Sequence, residues 1–336
     1  MSEKKTYDKS KLIRYYSDSA DDSFEHVSNK SPERAWIFAL TKEFWNNAFR
    51  GKDEGKKIIY VNAGAPVELV YAFGAVPLLL DMVATRTATE PDLAAKYVDA
   101  AERLVPNSMC GITKVPYAAS ILGEMEIPPD AMMYSTVPCD SSRISTVAIT
   151  KHFGVPAFNL DVPFQANDRG YRYMAEQYRE AIPFLEGVTG NKFDPDRFRE
   201  CAALSNRATE LMWDIAKLRM HVPCPLPGLI LYANQAIPCM AGTRVLVDYM
   251  ETQCQMAQFL VASNMSAALG AEKYRIFWMQ NMLWSNIKLL SWLEKEFGAV
   301  VVMEAFGYQK GPVFENPDDL GQIFYDLARK TLALPM

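Results

Sequence analysis

The sequence predicts an α/β fold with parallel sheets, on two observations. Short apolar runs rich in β-branched residues alternate with longer segments of helical spacing, which is the pattern of βαβ units. The chain has 336 residues, 49% of them hydrophobic, and this length is too great for one small core. We therefore expect two Rossmann-like parallel-sheet domains, a helical N-terminal segment and a helical connection. The predicted boundaries, in chain order, are 1–50, 51–165, 166–225 and 226–336.

The N-terminal segment contains a predicted helix that ends near Gly51. Ser31 is its expected cap, Pro32 occupies the first helical position and Glu33 lies in the first turn. This combination is typical of a helix start. A polar, acidic leader precedes the helix.

The first α/β domain is predicted from three strand-like runs, KIIYVNAG (57–64), AMMYSTVP (131–138) and PAFNLDVP (156–163). A longer segment of helical character separates each run from the next. Parallel strands need such crossover connections, so the three strands are expected to lie parallel in one sheet.

The connection from 167 to 223 has helical spacing. Asp194 is the expected cap of its main helix, with Pro195 directly behind it. The spacing places one apolar face on Phe198, Cys201, Ala208, Met212 and Ile215.

The second α/β domain is predicted from a helix at 245–264, a strand at 274–280, a helix at 284–298 and a strand at 299–307. Two strands with their helices are too few to form a stable sheet by themselves. We therefore expect this domain to be incomplete, with further strands beyond residue 336 or supplied by a partner subunit.

Charge and motif content argue against several function classes. The chain carries 35 basic and 40 acidic residues, a net charge of -5, which gives no basic field for nucleic acid. Neither a G-x-G-x-x-G after a strand, nor a G-x-x-x-x-G-K-[ST], nor an H-E-x-x-H occurs in the sequence. Standard nicotinamide, ATP and zinc-hydrolase sites are therefore not predicted.

The same sequence argues against secretion and membrane insertion. The first fifteen residues lack the apolar core of a signal peptide, and charges interrupt the longest apolar runs. We expect a cytoplasmic protein without a membrane association. In that reducing compartment its six cysteines are expected to be thiols or metal ligands rather than disulfides.

A glycine-containing turn follows the first predicted strand. Asn62, Gly64 and Ala65 lie between this strand and a helix whose first turn carries Pro66 and Glu68. One interpretation is an ordinary strand-to-helix turn. The other is a ligand site, because open α/β sheets bind ligands at the carboxyl ends of their strands.

The six cysteines fall into two groups. Core packing is expected for Cys201 and Cys254, whereas Cys224 and Cys239 lie in predicted loops. Cys110 precedes a helix-like run, and Cys139 ends a predicted strand with Asp140, Ser141, Ser142 and Arg143 directly after it. If both segments end at one sheet edge, the two thiols converge beside the Asn62 turn. Such a pair suits a metal or an iron–sulfur cluster, although an ordinary loop with a buried sulfur would give the same pattern.

Four sequence segments resemble those of a known protein family. They are NAGAPVELVYAFGAVPLLL, NSMCGITKVPYAASILG, PPDAMMYSTVPCDSSR and FGVPAFNLDVPF, in this order. This set resembles the 2-hydroxyacyl-CoA dehydratase family, which also includes the related benzoyl-CoA reductase subunits. A looser match extends through 275–307.

The resemblance implies an oxygen-sensitive lyase made of two homologous subunits, with a [4Fe-4S] cluster held by cysteines. A separate ATP-dependent iron–sulfur activator would supply one electron. A 2-hydroxyacyl-CoA thioester would then lose its hydroxyl group through a ketyl radical and give the 2-enoyl-CoA.

By motif position, Cys110 and Cys139 match the first two cluster cysteines of the family. Asp140, Ser141 and Arg143 match the polar residues that follow, and we expect them to contact the cluster sulfurs or the substrate. Asn62 and Glu68 match the first turn by motif position alone, with the same kind of contact expected.

The sequence departs from the family pattern at the third cluster cysteine, which is expected beyond residue 336. Two alternatives therefore stay open: a benzoyl-CoA reductase-type subunit that reduces an aromatic CoA thioester, and a non-catalytic structural subunit. The aromatic and sulfur-containing residues around a predicted strand end are either core filling or the lining of an apolar acyl pocket. These are Trp278, Met279, Met282 and Trp284.

Overall fold

A computed structural model of the chain describes residues 6–137, 139–279, 282–304, 311–316 and 318–333. Helix α1 (Leu12–Lys30) packs against α2 (Trp36–Asp53), with a 3-10 turn over Pro32–Arg34 between them. The predicted helix start at Ser31 is therefore wrong by one turn, because proline opens the 3-10 turn and the α-helix begins at Trp36. The polar leader of the sequence forms α1.

Four parallel strands form the first sheet in the order β2–β1–β3–β4. They are β1 (Ile58–Val61), β2 (Val76–Leu79), β3 (Ala131–Ser135) and β4 (Ala157–Leu160). The three predicted strands are confirmed. Strand β2 corrects the sequence analysis, which assigned its stretch to helix, and its Pro77 is compatible with an edge strand because the missing N–H can face away from the ladder.

Five helices connect or follow the first three strands. They are α3 (Val67–Ala72), α4 (Leu80–Ala88), α5 (Pro91–Ala101), α6 (Gly111–Ile121) and α7 (Asp140–Phe153). The strand order reverses between β1 and β3, because the chain passes from β1 to β2 on one side and then crosses to β3 on the other. Helix α6 leads into the start of β3, so its own N-terminus lies toward the carboxyl edge of the sheet.

Two long helices form the connection, α8 (Asp168–Thr189) and α9 (Pro195–Leu218). The Asp194 side chain accepts hydrogen bonds from the N–H groups of Asp196 and Arg197, which confirms it as the N-cap of α9. The predicted apolar face of α9 is buried, as expected from its spacing.

The remaining elements are α10 (Ile230–Ala233), α11 (Arg244–Ala262), β5 (Tyr274–Trp278), α12 (Lys288–Phe297), β6 (Ala299–Glu304) and α13 (Leu320–Leu332). Strands β5 and β6 pair in parallel. The α/β class is therefore confirmed, while the Rossmann-like character of the two domains and their boundaries stay predictions. The predicted strand ends at 280 and 305–307 lie outside the described residues. No described helix has both the length and the apolar composition to cross a membrane.

A buried arginine joins the connection to the second sheet. Arg219, directly after α9, is 2% exposed. Its guanidinium donates to the carbonyl oxygens of Val301 at 2.8 Å, Val302 at 2.9 Å and Leu226 at 3.2 Å. Arginine suits this position because one planar group serves several acceptors at once.

We expect Arg219→Met to lower the free energy of unfolding by about 3 kcal/mol, because buried carbonyl groups lose their donors. Urea denaturation measures the change. Arg172→Met is the matched control, since Arg172 is exposed and pairs with Asp168 on its own helix. The control is expected to stay within about 0.5 kcal/mol of the wild type, and an equal loss in both variants would contradict this assignment.

Candidate functional site

The candidate site lies where the strand order of the first sheet reverses. Asn62 directly follows β1, Thr136 and Val137 follow β3, and Cys139 precedes α7. Strands β1 and β3 are the two between which the chain changes direction. Open α/β sheets bind ligands at the carboxyl ends of such strands, so the ligand-site interpretation of the Asn62 turn gains a structural basis.

The Asn62 side chain joins the ends of β1 and β3. Its Oδ1 accepts from the Ser135 N–H at 2.7 Å, and its Nδ2 donates to the Ser135 and Val137 carbonyls at 2.9 and 3.2 Å. The same Nδ2 lies 2.9 Å from the Ser142 hydroxyl in α7. Asn62 is 1% exposed, so its amide positions the chain on both sides of Cys139. Direct contact between Asn62 and a ligand stays a prediction.

Glycine is required in this turn. Gly64 has φ +87, and a Cβ built there would lie 2.8 Å from both Ser135 Oγ and Val137 Cγ2. Any other residue would be strained in backbone conformation and would displace the residues that lead to Cys139. The turn and the end of β3 are therefore packed as one unit.

Cys110 and Cys139 occupy equivalent positions on neighbouring helices. Cys110 is the N-cap of α6, Cys139 is the N-cap of α7, and both residues are exposed. The Ser145 hydroxyl donates to the Thr113 carbonyl at 2.7 Å, which ties the early turns of the two helices together. The structure thus brings the two cysteines to the same edge of the sheet. An anionic ligand held there would be stabilised by both helix dipoles.

The polar residues after Cys139 form the first turn of α7. Asp140 and Arg143 are exposed and Ser141 is half-buried. Within the described chain no ion pair joins Asp140 to Arg143, so both charged groups can face a ligand. Their predicted contact with the cluster or substrate stays a prediction.

Glu68 lies in a different environment from the two cysteines. Its carboxylate is 2.6 Å from the Ser205 hydroxyl of α9 and 2.8 Å from the Lys330 ammonium of α13. Glu68 is 3% exposed. Burial opposes its ionisation, but Lys330 and Ser205 outweigh this effect and hold the pKa of Glu68 below its usual value. These contacts give Glu68 the role of joining three helices; the ligand contact expected from the motif stays a prediction.

The other four cysteines are buried. Core packing is confirmed for Cys201 and Cys254. Cys224 lies in a loop as predicted, whereas the loop prediction for Cys239 is wrong, because a 3-10 helix spans Asn234–Met240; both thiols are buried. Burial raises the pKa of Cys201 to about 11 and raises the pKa of the other three thiols. These groups are therefore poor sources of thiolate ligands in comparison with exposed cysteines.

Sequence analysis missed Asp81, which lies in the first turn of α4 after the unpredicted strand β2. Its Oδ2 accepts from the Ala63 N–H at 3.1 Å. A recess of about 10 Å³, with room for at most one water, lies between Asp81, Asn62, Thr113 and Ser142. Burial raises the pKa of Asp81. Recognising β2 would have placed this carboxyl at the same edge as Asn62.

Comparisons with known proteins find subunits of enzymes that are named for CoA-thioester substrates. The family model described as "2-hydroxyglutaryl-CoA dehydratase, D-component" matches residues 62–336. The (R)-phenyllactyl-CoA dehydratase alpha subunit of Clostridium sporogenes is 23% identical over 85% of this chain and 72% of that protein.

Two further relatives show a similar level of identity. The (R)-2-hydroxyisocaproyl-CoA dehydratase alpha subunit of Clostridioides difficile is 24% identical over 74% of this chain and 64% of that protein. A benzoyl-CoA reductase subunit of Thauera aromatica is 23% identical over 81% of this chain and 69% of that protein. The chain therefore spans about two thirds to three quarters of the length of these relatives.

We expect Asn62→Ala to lower the free energy of unfolding by about 3 kcal/mol, because buried main-chain groups of Ser135 and Val137 lose their partners. Urea denaturation measures this loss. Asn107→Ala is the control, since Asn107 is exposed and is expected to change stability by no more than about 0.5 kcal/mol. A comparable small change for Asn62→Ala would show that its hydrogen bonds do not hold the end of β3.

The Glu68 ion pair predicts a pH-dependent stability difference. Because the pKa of Glu68 is lower in the folded than in the unfolded chain, its ionisation stabilises the fold above about pH 4.3. We expect Glu68→Gln to lose about 2 kcal/mol at pH 7. This loss shrinks as the pH falls through the folded-state pKa, where the wild-type carboxyl also becomes neutral.

Urea unfolding of wild type and Glu68→Gln between pH 3 and 7 tests this expectation. Glu176→Gln is the control, because Glu176 is 62% exposed and pairs with Arg179 on its own helix. The control is expected to show no such trend. A constant difference for Glu68→Gln across the pH range would mean that the ion pair does not stabilise the fold.

Proposed function

The chain belongs to the family described as 2-hydroxyglutaryl-CoA dehydratase, D-component, and from this premise we propose that it is the iron–sulfur subunit of a 2-hydroxyacyl-CoA dehydratase. The family resemblance predicted from the sequence is confirmed by this match. The proposed reaction is a lyase reaction, in which an (R)-2-hydroxyacyl-CoA loses water and gives the 2-enoyl-CoA. The observation that carries the proposal is the placement of exposed Cys110 and Cys139 at neighbouring helix N-termini.

The donor set at this edge fits an iron–sulfur cluster. Cys110 and Cys139 are exposed thiols, and thiolates from separate segments are the usual ligands of such clusters. In the described part of the chain no three His, Cys, Asp or Glu residues group together as metal ligands. We propose Cys110 and Cys139 as two ligands of a [4Fe-4S] cluster, without assigning the others. When bound, the cluster would supply one-electron transfer to the CoA thioester.

The surrounding residues would position the ligands and set their environment. Asn62 fixes the chain on both sides of Cys139 through four hydrogen bonds. In the first turn of α7, Ser141 and Arg143 lie where hydrogen bonds to sulfur would raise the reduction potential. Asp81 lies at the same edge, where its Oδ2 accepts from the Ala63 N–H, and burial raises its pKa.

We propose two protein partners. The relatives in Clostridium sporogenes and Clostridioides difficile are named alpha subunits, which supports a homologous second subunit for this chain. Because electron transfer to a thioester requires a very low potential, the proposal also includes the ATP-dependent iron–sulfur activator implied by the resemblance. The acyl-CoA substrate is proposed by class, and the cytoplasmic location remains a prediction from the sequence.

The similarity to the benzoyl-CoA reductase subunit favours one alternative reaction. A subunit of this type would reduce an aromatic CoA thioester and consume electrons. Dehydration is preferred because the two dehydratase subunits are as similar to the chain and the matching family model is that of a dehydratase. Turnover without net consumption of a reductant would distinguish the two reactions.

We expect Cys139→Ala to lose bound iron. After anaerobic purification with the native partner, the wild-type chain should hold about four irons, the content of one [4Fe-4S] cluster. Iron and sulfide analysis, together with low-temperature electron paramagnetic resonance after reduction, measures this content. Cys201→Ala is the matched control, because Cys201 is buried in the core, and it should retain its iron.

Two results would contradict the proposal. Equal iron content in Cys139→Ala and the wild type would mean that this thiol is not a ligand. A wild-type chain without iron, beside a partner that retains its cluster, would favour the non-catalytic structural subunit instead.

A further inference from the structure

The segment that leads to Cys110 has few buried apolar side chains. It covers residues 102–109, between the end of α5 and the start of α6. Residues 103, 104 and 106–108 are exposed, while Met109 is buried. A segment with so little apolar burial opens locally at a low cost in free energy. Hydrophobic packing alone therefore does not fix the path of the chain to Cys110.

A buried lysine contacts both ends of this segment. Lys114 lies in the first turn of α6 and is 3% exposed. Its ammonium donates to the Glu102 carboxylate at 2.6 Å, at the start of the segment. The same ammonium donates to the Asn107 carbonyl at 2.8 Å, three residues before Cys110. Lysine suits this position because its ammonium is a compact group with several donors.

The burial of Lys114 makes these contacts selective. A buried ammonium is unfavourable unless acceptors surround it. The start of α6 is therefore stable together with the segment when Glu102 and Asn107 reach Lys114. On its other side, the Cys110 carbonyl accepts from the Lys114 N–H at 3.1 Å and from the Thr113 hydroxyl at 2.9 Å. Cys110 thus lies between two parts of the chain that Lys114 contacts.

We propose that Lys114 is a positioning residue for the Cys110 thiol. It holds the segment before Cys110, as Asn62 holds the residues on both sides of Cys139. The contact of Ser145 with Thr113 joins the starts of the two helices, so the two thiols would be fixed relative to each other. The assignment rests on the proposed function, in which Cys110 is a cluster ligand, and adds the residue that sets the position of this ligand.

Hydrogen exchange of the full chain without iron tests the contact with the segment. The main-chain N–H groups of Leu104, Val105 and Met109 are hydrogen-bonded. We expect Lys114→Met to raise the exchange rate over residues 103–109 about tenfold, because the segment opens more often. Residues 135–142, around Cys139, should exchange at the wild-type rate. An unchanged rate over 103–109 would overturn the proposal.

A second measurement tests the effect of Lys114 on the cluster. After anaerobic purification with the native partner, we expect Lys114→Met to lose iron to a chelator about tenfold faster than the wild type, because residues that orient a ligand affect metal affinity on this scale. Electron paramagnetic resonance of the reduced cluster should show shifted g-values, which a general loss of stability would not produce. Faster exchange over 103–109, with wild-type iron loss and g-values, would overturn the positioning role.

A second variant removes the same contact without replacing a buried residue. The Glu102 side chain is 31% exposed. We expect Glu102→Ala to change both measurements in the same direction as Lys114→Met but less, because the Asn107 carbonyl still accepts from Lys114. Circular dichroism checks that each variant is folded. Wild-type behaviour of folded Glu102→Ala in both measurements would overturn the proposal.

Lys96→Met is the matched control. The Lys96 side chain is 45% exposed and pairs with Glu124, and the variant should match the wild type in exchange over 103–109, in iron loss and in g-values. Equal changes in Lys96→Met and Lys114→Met would overturn the specific role of Lys114.

The two measurements also separate this inference from the proposed function. Iron in the wild type, with unchanged exchange and iron loss in Lys114→Met, would overturn only the role of Lys114. A wild-type chain without iron, in which Lys114→Met still raises exchange over 103–109, would overturn the cluster assignment and support the contact of Lys114 with the segment before Cys110.

Discussion

The hydrogen bonds of the Asn62 side chain are the constraint on which the candidate site depends. One buried amide joins the end of β1 to the end of β3 and reaches the first turn of α7. Without it, main-chain groups of Ser135 and Val137 would be buried without these partners. The residues on both sides of the exposed Cys139 are thus held by one buried, hydrogen-bonded side chain, so the sheet presents this thiol at its edge in a fixed position.

Buried charged groups connect this edge to the rest of the chain. Glu68 and Lys330 join α3 to α13 across a long sequence separation, with the Ser205 hydroxyl between them. Arg219, at the end of α9, joins this helix to β6 through hydrogen bonds to main-chain carbonyl groups. Burying a charge is unfavourable unless it is paired or hydrogen-bonded, and each of these groups has such partners.

The sequence by itself determined the α/β class, three of the four strands of the first sheet, the cap of α9 and its buried face, and the family. These features depend on local spacing and on motif order, which a sequence records directly.

The sequence alone did not indicate α1, because the buried residues of this helix, Leu12, Ile13, Tyr15 and Tyr16, cluster at one end. The sequence alone did not indicate β2 either, because Pro77 lies within this short apolar run. Only the tertiary structure placed Glu68 against Lys330 and Asp81 beside Asn62, since each of these pairs joins residues whose separation in the chain carries no periodic signal.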